Sequence, residues 1–248
     1  SGEYIILSTR KGVIKKTSLS AFSNPRKAGI IAINLSDDDH LISAGRSSGS
    51  DDVLLATRMG KSIRFPESDA RAMGRTATGV RGIALANEDE VIGMEILSGD
   101  AEILTTTERG YGKRTPLDDY RPQKRGGQGI INIRANERNG PVIGIAQVVD
   151  DDDVMLITDG GKVLRCPVDG ISSMGRATQG VRVMRLDEDE KLVSIARLAE
   201  EDIVDTEGEA VIAADATDAP AEAAADENTD EIDTSDAETD APEADEDE

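Results

Sequence analysis

The sequence predicts an all-β protein, an array of propeller-like, four-stranded blades followed by a disordered acidic tail. Three observations support this prediction. One pattern recurs four times along the chain, with its anchoring glycines 48, 50 and 51 residues apart. Short alternating runs typical of strands appear within each copy, and the long helical patterns of βαβ units are missing. The end of the chain consists almost wholly of small and acidic residues.

Each repeat begins with an apolar run, a threonine, two polar residues, a glycine and a further short run. The four copies read YIILSTRKGVIKKTSL, DVLLATRMGKSIRFPE, AEILTTTERGYGKRTPL and DVMLITDGGKVLRCPV, with glycines at Gly12, Gly60, Gly110 and Gly161. A Thr-x-x-Gly connection is short enough for a β-hairpin, and glycine adopts the positive φ that other residues resist. The pattern therefore predicts the first two strands of each repeat.

Two further strands are predicted in each repeat. A second glycine, at Gly29, Gly79, Gly129 or Gly180, opens a β-branched run, and an alternating run then closes the repeat as HLISAG, EVIGMEIL, PVIGIAQVV or KLVSIARL. Repeats of this size with four strands match propeller blades, which bury their faces by stacking on neighbours, so we expect blades at about 1–50, 51–100, 101–150 and 151–198. With so few aromatic residues, the core must consist of Ile, Val and Leu.

The acidic tail explains the net charge of −22. Between Glu200 and Glu248 there are 22 acidic residues and no Lys or Arg, which leaves 28 acidic and 28 basic residues in the rest of the chain. A segment with almost no large apolar side chains cannot offset the entropy lost on ordering. Residues 199–248 are therefore predicted to be disordered.

The charges of the repeats are segregated. The spans 10–27, 58–82, 108–134 and 159–185 hold 24 of the 28 Lys and Arg residues and only 7 of the 28 acidic residues of the body. Because stacked repeats bring equivalent positions into line, we expect one basic band and a separate acidic one. Such a band suits the phosphates of duplex DNA, whereas the scarcity of aromatic residues argues against binding of single strands or RNA. A simple solvated face is the alternative.

No catalytic or cofactor site is recognisable. Gly60-Lys61-Ser62 resembles the end of a phosphate-binding P-loop, but Leu55 stands where its first glycine is needed, so a hairpin turn is the better interpretation. His40 and Cys166 are single residues of their kinds and cannot form a zinc site or a nucleophile pair. We therefore expect a chain that catalyses nothing by itself and holds no metal or other cofactor.

The compartment is predicted from what the sequence lacks. There is no run of about 18 apolar residues that could span a membrane, and the first residues do not have the layout of a signal peptide. The prediction is a soluble, cytoplasmic chain with no membrane partner.

Several long segments resemble the C-terminal domain of the DNA gyrase A protein, which is part of a type IIA topoisomerase. They are RAMGRTATGVRGI, ERGYGKRTPLDDYRPQKRGGQGI, ERNGPVIGIAQV and SMGRATQGV, and the resemblance covers residues 1–198. It implies a β-pinwheel with a basic rim around which duplex DNA is bent and wrapped, in support of negative supercoiling. It also implies a heterotetramer with the rest of the gyrase A protein and with the gyrase B protein, where ATP and Mg²⁺ act and an upstream tyrosine breaks the DNA.

One loop resembles the seven-residue gyrase box, Gln-(Arg/Lys)-Arg-Gly-Gly-x-Gly. It consists of Gln123, Lys124, Arg125, Gly126, Gly127, Gln128 and Gly129. Its glycines are expected to let backbone N–H groups approach a phosphate that Lys124 and Arg125 neutralise. In the family the box belongs to the first of six blades, whereas two repeats precede it here. Either two upstream blades with their own box are missing, which we favour, or this is a box-like loop in a later blade.

The predicted DNA contacts combine this loop with its counterparts in the other repeats and with the basic runs after the hairpin glycines. They are Lys15, Lys16, Arg26, Lys27, Lys61, Arg64, Arg71, Arg75, Lys113, Arg114, Arg121, Lys124, Arg125, Lys162, Arg165 and Arg176. The acidic tail is expected to compete with DNA for this band and so to modulate wrapping, or else only to maintain solubility.

Two other functions compete with DNA wrapping by gyrase. The related C-terminal domain of the topoisomerase IV A protein is expected to have degenerate boxes and a less complete basic band. A propeller-like platform for binding other proteins is expected to expose aromatic side chains and mixed charges instead.

Overall fold

The computed structural model describes residues 2–198, and the predicted tail lies outside these residues. Within them the chain forms fifteen β-strands and four short 3-10 helices and no α-helix, which confirms the all-β prediction. The strands are β1 (Tyr4–Thr9), β2 (Val13–Ser18), β3 (Leu41–Ser47), β4 (Asp52–Thr57), β5 (Lys61–Pro66), β6 (Val80–Arg81), β7 (Val91–Leu97), β8 (Glu102–Thr107), β9 (Tyr111–Pro116), β10 (Ile130–Ile131), β11 (Val142–Val148), β12 (Asp153–Thr158), β13 (Val163–Pro167), β14 (Val181–Arg182) and β15 (Leu192–Leu198). The 3-10 helices are Leu19–Phe22, Glu67–Asp69, Leu117–Asp119 and Val168–Gly170. No helix in this part of the chain is long and apolar enough to cross a membrane.

The Thr-x-x-Gly turns form the hairpins as predicted. The hydroxyl oxygen of Thr57 accepts the backbone N–H of Lys61 at 3.2 Å, and Thr9 and Thr158 make the same bond to Val13 and Lys162. The turn glycines have φ between 75° and 84°. Threonine thus caps the turn, and glycine supplies its left-handed residue.

The strands form four sheets, whose membership differs from the sequence prediction. The orders are β3-β1-β2-β6, β7-β4-β5-β10, β11-β8-β9-β14 and β15-β12-β13. Each repeat gives three strands to its own sheet, and its short β-branched strand pairs with the sheet of the preceding repeat, as in Ile14↔Val80 and Ser62↔Ile130. The second, third and fourth repeats contribute four strands each, as predicted, but a four-stranded blade combines strands of two consecutive repeats, an arrangement that we call the strand exchange. The run after Gly29 forms no strand, and the fourth sheet has three strands among the described residues.

Glycine makes the strand exchange possible. A Cβ on Gly129 would lie 2.4 Å from the carbonyl oxygen of Ser62, and one on Gly180 would lie 2.8 Å from that of Gly112. Both distances are far inside van der Waals contact, so any side chain here would push the short strand off its sheet. The second glycines of the second, third and fourth repeats (Gly79, Gly129 and Gly180), which we call the seam glycines, are therefore required where consecutive repeats meet, whereas a Cβ on Gly29 would meet no atom within 4 Å.

The core is mainly aliphatic, as predicted, but Phe65 and Tyr120 are also fully buried in it. The strands β3, β7, β11 and β15 pack against one another in succession and form the inner edges of the sheets. Ile6, Ile14, Leu55 and Ile63 are fully buried in one cluster that joins the first two sheets. The strands β6, β10 and β14 lie at the opposite, outer edges, which places the segments before them on the outside of the array.

Candidate nucleic-acid interface

Four equivalent segments follow the 3-10 helices, and we call them the rim loops: residues 23–29, 71–79, 121–129 and 172–180. The second, third and fourth run alongside the sheet of the preceding repeat. The backbone N–H of Met73 donates to the carbonyl of Lys16 at 2.9 Å, and Gln123 and Met174 make the same bond to Arg64 and Arg114. The rim loops therefore cover strands β2, β5 and β9 from the outside.

This covering explains why some predicted DNA contacts are buried. The Lys113 ammonium donates to the carbonyl oxygens of Gly175 and Arg176 at 2.8 and 2.9 Å and to the Thr115 hydroxyl at 3.0 Å. Lys15 likewise donates to the carbonyls of Ala32 and Arg75. Both lysines are 0% exposed, and burial lowers the pKa of Lys113 to about 8. They fasten rim loops from the inside and do not face a phosphate.

Other predicted contacts are paired with carboxylates. Lys16 lies 2.7 Å from Glu67, with both side chains buried, and Arg64 binds Asp52 at 2.7 Å. Three more predicted cations are also in ion pairs: Arg114 with Glu102 and Asp150, Lys162 with Asp187 and Glu190, and Arg165 with Asp153. A cation already neutralised by a carboxylate gains little from a phosphate, so we do not propose these five cations, or the buried Lys15 and Lys113, as DNA contacts.

The box-like loop is clamped to the second repeat. The Gly126 N–H donates to the carbonyl of Gly82 at 2.7 Å, and the Ala84 N–H donates to that of Gly127 at 2.8 Å. The Arg125 guanidinium donates to the carbonyls of Asp69, at 3.2 Å, and Arg81. Arg125 therefore ties the loop down, whereas the Lys124 side chain is exposed.

Arg75 and Arg176 are the counterparts of Arg125. Arg75 donates to the carbonyl of Ile31 at 3.3 Å, and Arg176 donates to that of Ile131 at 2.8 Å. Like Arg125, both are half-buried and reach the β-branched run of the preceding repeat. These three arginines therefore hold consecutive repeats together.

Five predicted contacts are exposed on the rim loops and form no salt bridge with a carboxylate of residues 2–198. They are Arg26, Lys27, Arg71, Arg121 and Lys124. Lys61 is half-buried and forms no such bridge either. That these side chains touch DNA stays a prediction.

Two exposed arginines on the outer strands were missing from the predicted contacts. Arg81 and Arg182 are each the second residue after a seam glycine, in strands β6 and β14. The repeated Gly-Val-Arg of GVRG and GVRV is the signal that could have found them. They extend the basic surface from the rim loops onto the sheet edges.

The acidic runs occupy the loops at the strand ends and have a structural role. A carboxylate oxygen of Asp39 accepts the backbone N–H of Lys11 at 2.9 Å, and Asp89 accepts that of Met59 at the same distance. Glu190 accepts from the Thr158 hydroxyl at 2.7 Å and from Lys162 at 2.9 Å. These acids therefore cap the hairpin turns. Residues 2–198 contain no group of three metal-ligating side chains.

Comparison with known proteins gives a consistent result. The model of a family described as "DNA gyrase C-terminal domain, beta-propeller" matches residues 3–48, 51–98, 101–148 and 152–199. The DNA gyrase A protein of Salmonella typhimurium is 47% identical over 199 residues, which are 80% of this chain and 23% of that protein. The gyrase A protein of Pseudomonas aeruginosa is 43% identical over 200 residues, or 81% of this chain and 22% of that one. The chain thus spans under a quarter of the length of these relatives.

Two solved structures share the fold. The C-terminal domain of DNA topoisomerase IV matches with a TM-score of 0.77 and 26% identity, over 82% of this chain and 64% of that one. The DNA gyrase A C-terminal domain matches with a TM-score of 0.73 and 28% identity, over 80% and 66%. The fold suits both, and the identity to gyrase A proteins favours gyrase over the topoisomerase IV alternative.

Proposed function

Since this chain belongs to the DNA gyrase C-terminal domain family, we propose that it binds duplex DNA through the sugar-phosphate backbone and bends or wraps it around the rim loops. The observation that supports this most is the contrast between two groups of cations. Seven of the predicted cations in or beside the hairpin strands are buried or paired with carboxylates, whereas Arg26, Lys27, Arg71, Arg121 and Lys124 on the rim loops are exposed and form no salt bridge within residues 2–198.

Binding through these side chains is independent of sequence. Lys and Arg that neutralise phosphates release condensed counterions, a gain that any base sequence offers equally. No exposed helix is available to enter a major groove, because residues 2–198 form only strands and short 3-10 helices. The duplex is therefore held as a charged, bendable rod.

The box-like loop has two tasks in this proposal. Arg125 fixes the loop to the second repeat, and Lys124 faces the duplex from that fixed position. The sequence predicted that both cations neutralise phosphate, whereas this proposal gives positioning to Arg125 and phosphate contact to Lys124. Because the loop backbone is already fixed, little loop entropy is lost when the DNA binds.

We assign the chain to a cytoplasmic DNA gyrase, in which wrapping would support negative supercoiling. The rest of the gyrase A protein, the gyrase B protein, ATP and Mg²⁺ would supply strand breakage and passage, and none of these steps is given to the residues described above. The acidic tail would compete with DNA for the rim cations and so limit wrapping.

Binding to a labelled mixed-sequence duplex across a salt series tests the proposal. The logarithm of the affinity should fall linearly with the logarithm of the salt concentration, by about 0.9 per phosphate neutralised. Replacing the five exposed rim cations by Gln should flatten this slope, whereas Arg165→Gln, which removes a paired cation, should not. A flat salt dependence in the unchanged protein, or equal slopes in the two variants, would contradict the proposal.

A further inference from the structure

A groove opens at the seam between the third and fourth repeats, beside the fourth rim loop. It is lined by Tyr111, Arg138 and residues 180–185 and has a volume of about 610 Å³. Arg182 and Arg185 are the two arginines within that span, so three arginines and one phenol share the groove.

The strand exchange creates this arrangement. Tyr111 begins β9 and Arg182 ends β14, and the two are direct partners in the antiparallel pairing of these strands. An Arg182 Nη atom donates to the Tyr111 hydroxyl at 3.1 Å, and the guanidinium carbon lies 5.4 Å from the ring centroid. The tyrosine is only 6% exposed, so its ring is a fixed support.

Arg138 reaches the same ring from the loop between β10 and β11. Its guanidinium carbon lies 5.2 Å from the Tyr111 centroid, and it donates to the side-chain oxygen of Gln179 at 3.4 Å. The Asn139 side chain donates to the carbonyl of Gln179 at 3.0 Å, which joins this loop to the fourth rim loop. Two guanidinium groups therefore converge on one aromatic ring.

The groove has an unbalanced positive charge. None of Arg138, Arg182 and Arg185 forms a salt bridge with a carboxylate in the described part of the chain. The hydrogen bond from Arg182 and the nearby charge of Arg138 lower the pKa of Tyr111, as expected where the potential is positive. Like charges held together are destabilising, and an anion placed between them relieves the repulsion.

The other repeats do not reproduce the groove. The residue after the hairpin glycine is Tyr111 in the third repeat, but Val13, Lys61 and Lys162 in the others. The third repeat also has Asn136-Glu137-Arg138-Asn139 where the others have runs of three or four acidic or amide residues without a Lys or Arg. The cluster is therefore a local addition to the repeating pattern.

We propose that this groove is a binding site for one backbone phosphate of duplex DNA. It lies outside the rim loops, and Arg138, Arg182 and the Tyr111 hydroxyl would hold the phosphate. The hydroxyl oxygen accepts from Arg182, so its own proton is free to donate to a phosphate oxygen. Arginine pairs suit phosphate because each guanidinium presents two parallel N–H groups. The inference rests on the proposed function, since it gives the DNA an additional contact where the third and fourth repeats meet.

The first test compares Arg182→Ile with Arg81→Ile in the full chain. Isoleucine occupies the equivalent positions at Ile31 and Ile131, so both variants keep a side chain that the fold accepts. Arg81 is the matched control, because it pairs with Val13 across its seam and has no tyrosine partner. Loss of a charge-assisted bond predicts about a tenfold weaker binding of a mixed-sequence duplex in Arg182→Ile, against less than about threefold in Arg81→Ile. If both variants lose the same affinity for duplex and the steep salt dependence is retained, the phosphate site is contradicted and the proposed function still holds.

The second test measures phosphate binding in the groove without DNA. Titration of tyrosine absorbance, with Tyr111→Phe identifying the signal, should show that inorganic phosphate raises the pKa of Tyr111 by neutralising its two arginines, and Arg182→Ile should abolish that response. If no form of the protein binds duplex, the proposed function fails, whereas this titration still tests whether the groove binds phosphate. If phosphate leaves the pKa of Tyr111 unchanged, the proposed phosphate site is contradicted.

Discussion

The Arg125 guanidinium donates a hydrogen bond to the backbone carbonyl oxygen of Arg81, 44 residues earlier in the chain. This bond joins the box-like loop of the third repeat to the outermost strand of the first sheet, which the second repeat supplies. Its neighbour Lys124 is exposed. Adjacent cations of one motif thus perform different tasks.

Substitution of Arg125 and of Lys124 should have different effects. Arg125→Ala should raise the hydrogen-exchange rates of the Gly126 and Ala84 amides and lower the free energy of unfolding by about 1 kcal/mol, because a half-buried charged donor is lost. Lys124→Ala should leave both quantities unchanged and weaken duplex binding. Identical effects of the two substitutions on amide exchange would show that the loop is not fastened by Arg125.

Lys113 should make the free energy of unfolding depend on alkaline pH. Burial lowers its pKa in the folded state to about 8 from 10.5, so between these values the unfolded chain binds more protons. The contribution of this residue to stability is therefore lowest below pH 8 and rises as the pH increases towards 10.5. Chemical denaturation at several pH values should show a steeper rise in the unchanged protein than in Lys113→Met. Leu164 holds the equivalent position on β13, so an apolar residue is tolerated there, and parallel curves would refute the assignment.

Glu190 should make the fourth repeat sensitive to acid. Hydrogen bonds from the Asp187 backbone N–H, the Thr158 hydroxyl and Lys162 lower the pKa of Glu190 to about 2, below its ordinary value of 4.5. The stabilisation is complete above pH 4.5 and is lost as the pH falls towards 2. Glu190→Gln should have a shallower decline in melting temperature over this range. Asp169→Asn is the control, because Asp169 is exposed and caps no turn, and it should decline as the unchanged protein does.

Truncation after Ala199 tests the predicted role of the tail. If its 22 carboxylates compete with DNA for the rim cations, the shortened chain should bind duplex more tightly at low salt, and the difference should shrink as salt screens both interactions. Titration of labelled duplex against both chains across a salt series measures this. Superimposable curves at low salt would reject competition and favour a role in solubility.

The repeat pattern was sufficient to predict fifteen of the sixteen expected strands, the hairpins and the mainly aliphatic core, because period-2 alternation and turn glycines are local signals. It could not predict the strand exchange. The run after Gly79 has the same sequence character whether it pairs within its repeat or, as found, with Ile14 of the preceding one. Only the packing of consecutive repeats decides between these pairings.

The packing of consecutive repeats also limited the prediction of the DNA-contact residues. Lys15 and Lys124 are both cations of the basic spans, yet one is buried beneath the covering segments of the next repeat and the other is exposed. Composition and spacing do not distinguish them, because the covering segment lies 60 residues away in the chain, as Lys15 and Arg75 show. Tyr111 and Arg182 likewise meet only through the exchanged strand.

Wrapping itself is tested most directly by religating nicked plasmid in the presence of the full chain and measuring the linking number. Wrapping around the rim loops predicts a change of one sign that grows with the amount of bound protein. The change should vanish when Arg26, Lys27, Arg71, Arg121 and Lys124 are replaced by Gln. An unchanged linking number at protein concentrations that saturate the plasmid would contradict wrapping by this chain.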